Sequence, residues 1–205
     1  MSRLKVSELC GTLGQHVTET IEKARELQQM NDADLNRAPA PGKWSIAQVV
    51  EHLNSYNRYY LPEIEKAIQN GRALGIEAKP DYKPGWFGNY FTRMMEPTTA
   101  GRVTKKYKAP KDHIPVANLD SKKVLSEFIE SQNRLIDFLQ QAEHTDIGKL
   151  KVPISISKYI KLKLGDTFRF LIAHQQRHFI QVANTVRVII PKPGRYSATL
   201  AGKEI

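Results

Sequence analysis

Cysteine is nearly absent from this chain. Cys10 stands alone, so no internal disulfide can form and a cysteine-based zinc site is excluded. Long apolar runs are missing as well. No unbroken stretch approaches the ~20 residues that a membrane-spanning helix requires, and the mean hydropathy of -0.46 agrees. Residues 1–14 alternate charges with isolated apolar side chains and hold nothing like the apolar segment of a secretory signal, so a cytoplasmic protein is expected. Acidic residues are in short supply: 21 Asp and Glu face 31 Lys and Arg, a net charge of +10. The lysines thicken at Lys105, Lys106, Lys108 and Lys111, and again at Lys149, Lys151, Lys158, Lys161 and Lys163. No helix carries a continuous basic stripe and no nucleic-acid-binding motif is present. The charge therefore reads as a solvated surface that attracts small anions, with nucleic acid disfavoured as a partner.

What is present suits one packed domain: 205 residues, 40% hydrophobic and 25% charged. We expect that domain over 1–190 and a tail over 191–205. Four amphipathic stretches dominate. In the first, over 4–29, Val6, Leu9, Leu13, Val17, Ile21, Ala24 and Leu27 recur at three- and four-residue steps. Pro39 and Pro41 interrupt the pattern, and a second helix opens at Ser45, where Ser45 and Gln48 have capping-box spacing. It runs to 70–71 with Pro62 inside it, a residue expected to kink or break it. The third helix covers 121–142, capped by Asp120 or Ser121, with Val124, Leu125, Phe128, Leu135 and Leu139 inward. The fourth opens at Asp166 and continues through Ile189 to Pro191. The alternation at 151–163 resembles a short strand, too isolated to build a sheet. The expected fold is an all-α four-helix bundle with a long crossover between the second and third helices, which therefore need not be antiparallel neighbours.

That crossover, 72–120, is too long to be structureless in a compact domain. It carries Trp86, Phe87, Tyr90, Phe91, Met94 and Met95, so a short helix near 86–95 is expected, with these side chains buried together. They would seal the bundle, form a homodimer contact, or cover one end of a ligand cavity, with Gly85 and Gly88 as hinges.

Of the histidines, His174 and His178 form an i, i+4 pair on the fourth helix and project from one face. His52 follows Val49 by three residues, on the inward side of the second helix. Burying three imidazoles requires partners for their nitrogens: either each finds a separate hydrogen bond, or one divalent ion satisfies all three. Spacing alone does not make the second and fourth helices neighbours.

Two motifs now bear on that choice. Residues 44–53, W-S-I-A-Q-V-V-E-H-L, are similar to the W-S-x-x-(E/Q)-x-x-x-H-(L/I) opening of the DinB-like family. Residues 174–182, H-Q-Q-R-H-F-I-Q-V, resemble that family's H-x-x-x-H-x-x-Q-(I/V) signature. The resemblance spans about 41–190, with the crossover matching in length only. It implies a four-helix bundle of unusual connectivity, with His52, His174 and His178 as ligands of one divalent metal, nickel or zinc most often, with manganese or iron as further options. It also implies metal-dependent chemistry on a small-molecule substrate. The family includes bacillithiol S-transferases, mycothiol-dependent maleylpyruvate isomerase and members described as metal-dependent hydrolases, so a low-molecular-weight thiol is an expected co-substrate. Three neutral imidazoles would leave open positions on the ion, as a catalytic site does.

A metallopeptidase would need Glu directly after His174, and Gln175 stands there. Thiol S-transfer, or hydrolysis with acid–base help from elsewhere, fits better. Gln48, Tyr56 and Arg177 are candidate catalytic residues, Gln48 and Tyr56 lying one turn either side of His52. Capping and core packing are the competing readings of Gln48 and Tyr56, as a plain surface role is of Arg177. Trp44 is expected to plug the bundle end. His16, His113 and His144 lack partners at ligand spacing and are expected at the surface, while Cys10 falls on an apolar stripe as an inert buried thiol. The rival class is a non-enzymatic metal-containing protein whose basic surface recruits an anionic partner.

Overall fold

The computed structural model describes residues 2–98, 103 and 107–190; the expected tail at 191–205 and the pair Lys105 and Lys106 lie outside the described residues. Six α-helices follow in order: α1 (Val6–Leu27), α2 (Asp32–Asn36), α3 (Ile46–Ala73), α4 (Trp86–Met95), α5 (Ser121–Ala142) and α6 (Leu164–Ile189). The capping box forms as spaced: Ser45 Oγ accepts from the Gln48 amide at 3.2 Å while Gln48 Oε1 accepts from the Ser45 amide at 3.0 Å. Asp120 caps α5 by accepting from the Lys123 amide at 3.0 Å.

The long helices α1, α3, α5 and α6 form the bundle. Helices α1 and α3 each pack on both α5 and α6. The second and third long helices are neighbours, and they run parallel. Asn54 donates to the Val124 carbonyl at 2.9 Å, Arg58 pairs with Glu127, and Arg134 with Glu65, so residue numbers rise together along both axes. Only a long connection can return a chain to the starting end, so the crossover is what permits this topology. Helix α6 instead runs antiparallel to α3: Tyr60 faces Phe170 and Asn57 accepts from Gln175.

Several expectations need correction. Helix α3 continues across Pro62 without a break. Pro62 and Arg58, whose carbonyl loses its usual donor, are both exposed, so water can serve that carbonyl. The alternating segment becomes a hairpin: β3 (Lys151–Ile154) pairs antiparallel with β4 (Ser157–Lys163), burying Val152 and Leu162 against the bundle. A second small ladder joins β1 (Leu4–Lys5) to β2 (Asp81–Tyr82), tying the start of the crossover to the start of α1.

Helix α4 forms over the expected residues but does not bury them together. Trp86, Phe87 and Tyr90 remain 68%, 56% and 53% exposed. A helix lying on one neighbour buries one stripe. Here Gly88 and Thr92 are buried while Phe91 and Met95 pack on the core, and the larger aromatics fall on the opposite face. Both glycines are packed closely. The Gly85 amide donates to the buried Asp166 carboxylate at 2.9 Å, and an added Cβ at Gly88 would lie 2.2 Å from Asp166 Cγ. These positions are glycine because the backbone of α4 sits directly on Asp166, which also accepts from the Tyr82 hydroxyl.

The core divides into two clusters along the bundle. One gathers Tyr56, Tyr60, Phe168, Leu171 and Leu135; the other gathers Val49, Leu53, Phe128, Phe179 and Val182. On α3 the boundary between them falls between Leu53 and Tyr56, just past His52, and on α6 it falls at His174–His178. A polar layer occupies that level.

Candidate metal centre

His52 comes from the second turn of α3, and His174 and His178 from the middle of α6. The antiparallel packing of these helices closes the group. His174 Nε2 lies 3.2 Å from His52 Nε2 and 3.0 Å from His178 Nε2. One nitrogen from each ring falls within 4.8 Å of the others. His52 and His174 are buried, and His178 is half-buried.

The opposite nitrogens decide what these atoms can do. His52 Nδ1 is 2.7 Å from the His113 carbonyl, which can only accept, so Nδ1 carries the proton and Nε2 presents a lone pair. His178 Nδ1 is 3.0 Å from Gln181 Oε1, with the same consequence. His174 Nδ1, also buried, has no hydrogen-bond partner among the described residues. A neutral His174 can donate one Nε2–H to one neighbour at most, and additional protons are disfavoured. Burial, then repulsion from neighbouring charged forms, holds His174 well below the usual imidazole range and His178 at about 3. Burial, opposed by the bond to His113, brings His52 to about 4. At neutral pH the group is three uncharged imidazoles aimed at one point. That donor set fits a divalent cation, which replaces the missing protons with a single charge.

The chain itself matches the family model of the DinB superfamily over residues 16–182. It belongs to the DinB superfamily. No curated protein matches it. A solved structure of YfiT from Bacillus subtilis, described as a probable metal-dependent hydrolase with an unusual four-helix bundle topology, aligns at 16% identity with a TM-score of 0.47, covering 87% of this chain and 86% of that one.

The remaining candidates are placed as follows. Tyr56 walls the cluster: its ring centroid is 5.1 Å from that of His52 and 4.5 Å from that of His174. Burial pushes its phenol above the ordinary range, so it stays protonated. Trp44 packs 5.0 Å from the His52 ring, and Phe170 stacks on His174 at 6.0 Å. Arg177 lies beside the cluster, its guanidinium 5.4 Å from the Tyr107 ring, and its charge helps to keep His174 and His178 neutral. The Gln48 amide is engaged elsewhere: beyond its cap it donates to the Val116 carbonyl at 3.2 Å. Gln175 turns into the core toward Asn57. Among the described residues, no carboxylate joins the three histidines.

His113 is the functional residue that sequence reasoning missed. It was expected at the surface, yet it is 7% exposed and stacks on Tyr56 at 3.9 Å. Its turn (Lys111–His113) lies within the crossover, bracketed by Pro110 and Pro115, and that bracketing was the available signal of order. Its key atom is a backbone carbonyl, which no residue pattern reveals. The crossover thus reaches the centre through His113, while Tyr107 stands beside Arg177. Cys10 is buried, and burial pushes its thiol up to about 12, consistent with an inert packing role.

Proposed function

We propose that this chain is a metal-dependent enzyme acting on small molecules, with His52, His174 and His178 as protein ligands of one divalent ion. Thiol S-transfer is the reaction this site serves best. The observation that supports it is the convergence of three imidazole Nε2 atoms in a buried, uncharged cluster that no carboxylate joins among the described residues. A divalent ion bound there would supply Lewis-acid chemistry, favouring the thiolate form of a thiol or the hydroxide form of water. The chain's own residues set the surroundings. Burial keeps the histidines unprotonated and able to ligate at neutral pH. Tyr56, as a protonated phenol, can donate a hydrogen bond but cannot serve as a base. Arg177 brings positive charge beside the cluster, which favours an anionic thiol or conjugate over a cationic substrate.

Among the described residues no carboxylate stands beside the histidines, and this separates the two chemistries. Hydrolysis benefits from a positioned base to take the proton of water, and Gln175 cannot be one. A thiol is already several orders of magnitude more acidic than water and has less need of such a base. Nickel, zinc, manganese and iron all suit imidazole donors, so the ion is chosen by supply as much as by this site.

The test is a panel of low-molecular-weight thiols and electrophiles incubated with chain loaded with nickel, zinc or manganese. Metal-dependent thiol consumption that disappears in His174→Ala supports the proposal. Turnover of ester or amide substrates without any thiol would move the assignment to a hydrolase. Binding of nucleic acid that fades steeply with salt and survives loss of the histidines would favour the non-enzymatic reading instead.

A further inference from the structure

We propose that Ser55 and His113 are positioning residues for His52, locking its imidazole in the Nδ1–H tautomer and fastening the crossover to the metal centre. The inference rests on the reading of His52 as a metal ligand, and it adds what holds that ligand in place. Three hydrogen bonds close a ring. His52 Nδ1–H donates to the His113 carbonyl at 2.7 Å. Ser55 Oγ donates its proton to the His52 carbonyl at 2.6 Å. That proton being used, Ser55 Oγ can only accept at its second contact, so His113 Nδ1–H donates to it at 2.8 Å. Every donor in the ring has one acceptor, and every assignment follows from the previous one.

The ring matters because of what the other tautomer would do. With the proton on Nε2, His52 would press a bare Nδ1 lone pair against the His113 carbonyl. It would also push a proton into the space where the three Nε2 atoms meet. A carbonyl behind a metal-binding histidine fixes both ring orientation and tautomer, and removing such a partner typically lowers metal affinity about 10–100-fold. Here the carbonyl comes from a turn 61 residues away in sequence. Two further contacts hold that turn: the His113 amide donates to the Pro110 carbonyl at 3.0 Å, and the His113 ring lies on Tyr56 at 26° to its plane. Because an ion at Nε2 favours the Nδ1–H tautomer, and that tautomer favours the docked turn, ion occupancy and order in the crossover rise together.

The experiment compares the full chain with Ser55→Ala, Ser55→Thr and His113→Phe. The first removes the hydroxyl, the second keeps it, and the third keeps ring stacking but removes Nδ1–H. Two-bond proton–nitrogen NMR on ion-free protein reads the His52 tautomer, and competition titration with zinc alone reads affinity. The wild type and Ser55→Thr should show only the Nδ1–H form. Ser55→Ala and His113→Phe should show both tautomers and bind zinc 10–100-fold more weakly. A wild-type His52 protonated on Nε2 overturns the proposal without recourse to any variant. So does an unchanged tautomer, or a zinc affinity within twofold of wild type, in Ser55→Ala and His113→Phe. If the wild type takes up no ion, the metal assignment under Proposed function fails, and the tautomer measurement alone decides whether Ser55 and His113 position His52.

Discussion

Replacing Gly88 with alanine probes how tightly the crossover is seated on the bundle. The new Cβ would stand 2.2 Å from Asp166 Cγ, 2.3 Å from its Cβ and 2.5 Å from Oδ2, well inside ordinary contact distance. Asp166 cannot swing aside freely. It is 1% exposed, accepts from the Tyr82 hydroxyl, and accepts from the Gly85 amide at 2.9 Å. Either α4 lifts, losing the packing of Phe91 and Met95, or the carboxylate rotates and forfeits buried hydrogen bonds. Overpacking of this kind costs about 1–3 kcal/mol, and a buried acceptor left unsatisfied costs a similar amount. Alanine returns at most ~1 kcal/mol through helix propensity. The net expectation is a loss of about 1–3 kcal/mol, which for a chain of this size lowers Tm by roughly 2–12 °C. Urea unfolding followed by circular dichroism gives the free energy, and calorimetry the midpoint. In an Asp166→Gly background the same substitution should cost far less, because the carboxylate and the Asp166 Cβ, both of which obstruct the new methyl group, are gone. A neutral or stabilised Gly88→Ala in the native background would refute this account of why glycine stands at that position.

Further expectations concern the centre and the core. His52→Ala and His178→Ala should each reduce bound metal far below one equivalent, measured by elemental analysis of untagged protein; unchanged stoichiometry would remove both from the ligand set. Ion-free protein should lose stability as the pH falls from about 6.5 toward 4, because the unfolded histidines take up protons there while folded His52 and His178, held at about 4 and about 3, do not. A flat stability profile over that range, in urea titrations, would contradict the neutral cluster. Phe128→Ala, which removes a fully buried ring packed 5.5 Å from Phe179, should cost about 3–5 kcal/mol in the same assay. Cys10 should resist iodoacetamide at pH 8 in the folded chain and react on unfolding; rapid native alkylation would mean that α1 opens readily.

The sequence by itself determined the four long helices and singled out the three histidines that the structure brings together. Periodicity, the Ser45–Gln48 capping box and the Asp120 cap are local, acting within a turn or two, so α1, α3, α5 and α6 can be read from them, with ends displaced by two or three residues in α1, α3 and α6. The spacing of His174 and His178 guaranteed a shared face for the same reason. Only the tertiary structure decided which helices are neighbours, that α3 and α5 run parallel, and that His52 meets the pair from an antiparallel partner. It also decided that α4 buries its glycine stripe and exposes Trp86, because a helix pattern that is apolar on several faces does not say which face will dock. His113 lay furthest from what a sequence can show. Its part in the centre is played by a main-chain oxygen, an atom every residue possesses, and only the path of the crossover brings that oxygen to the Nδ1 of His52.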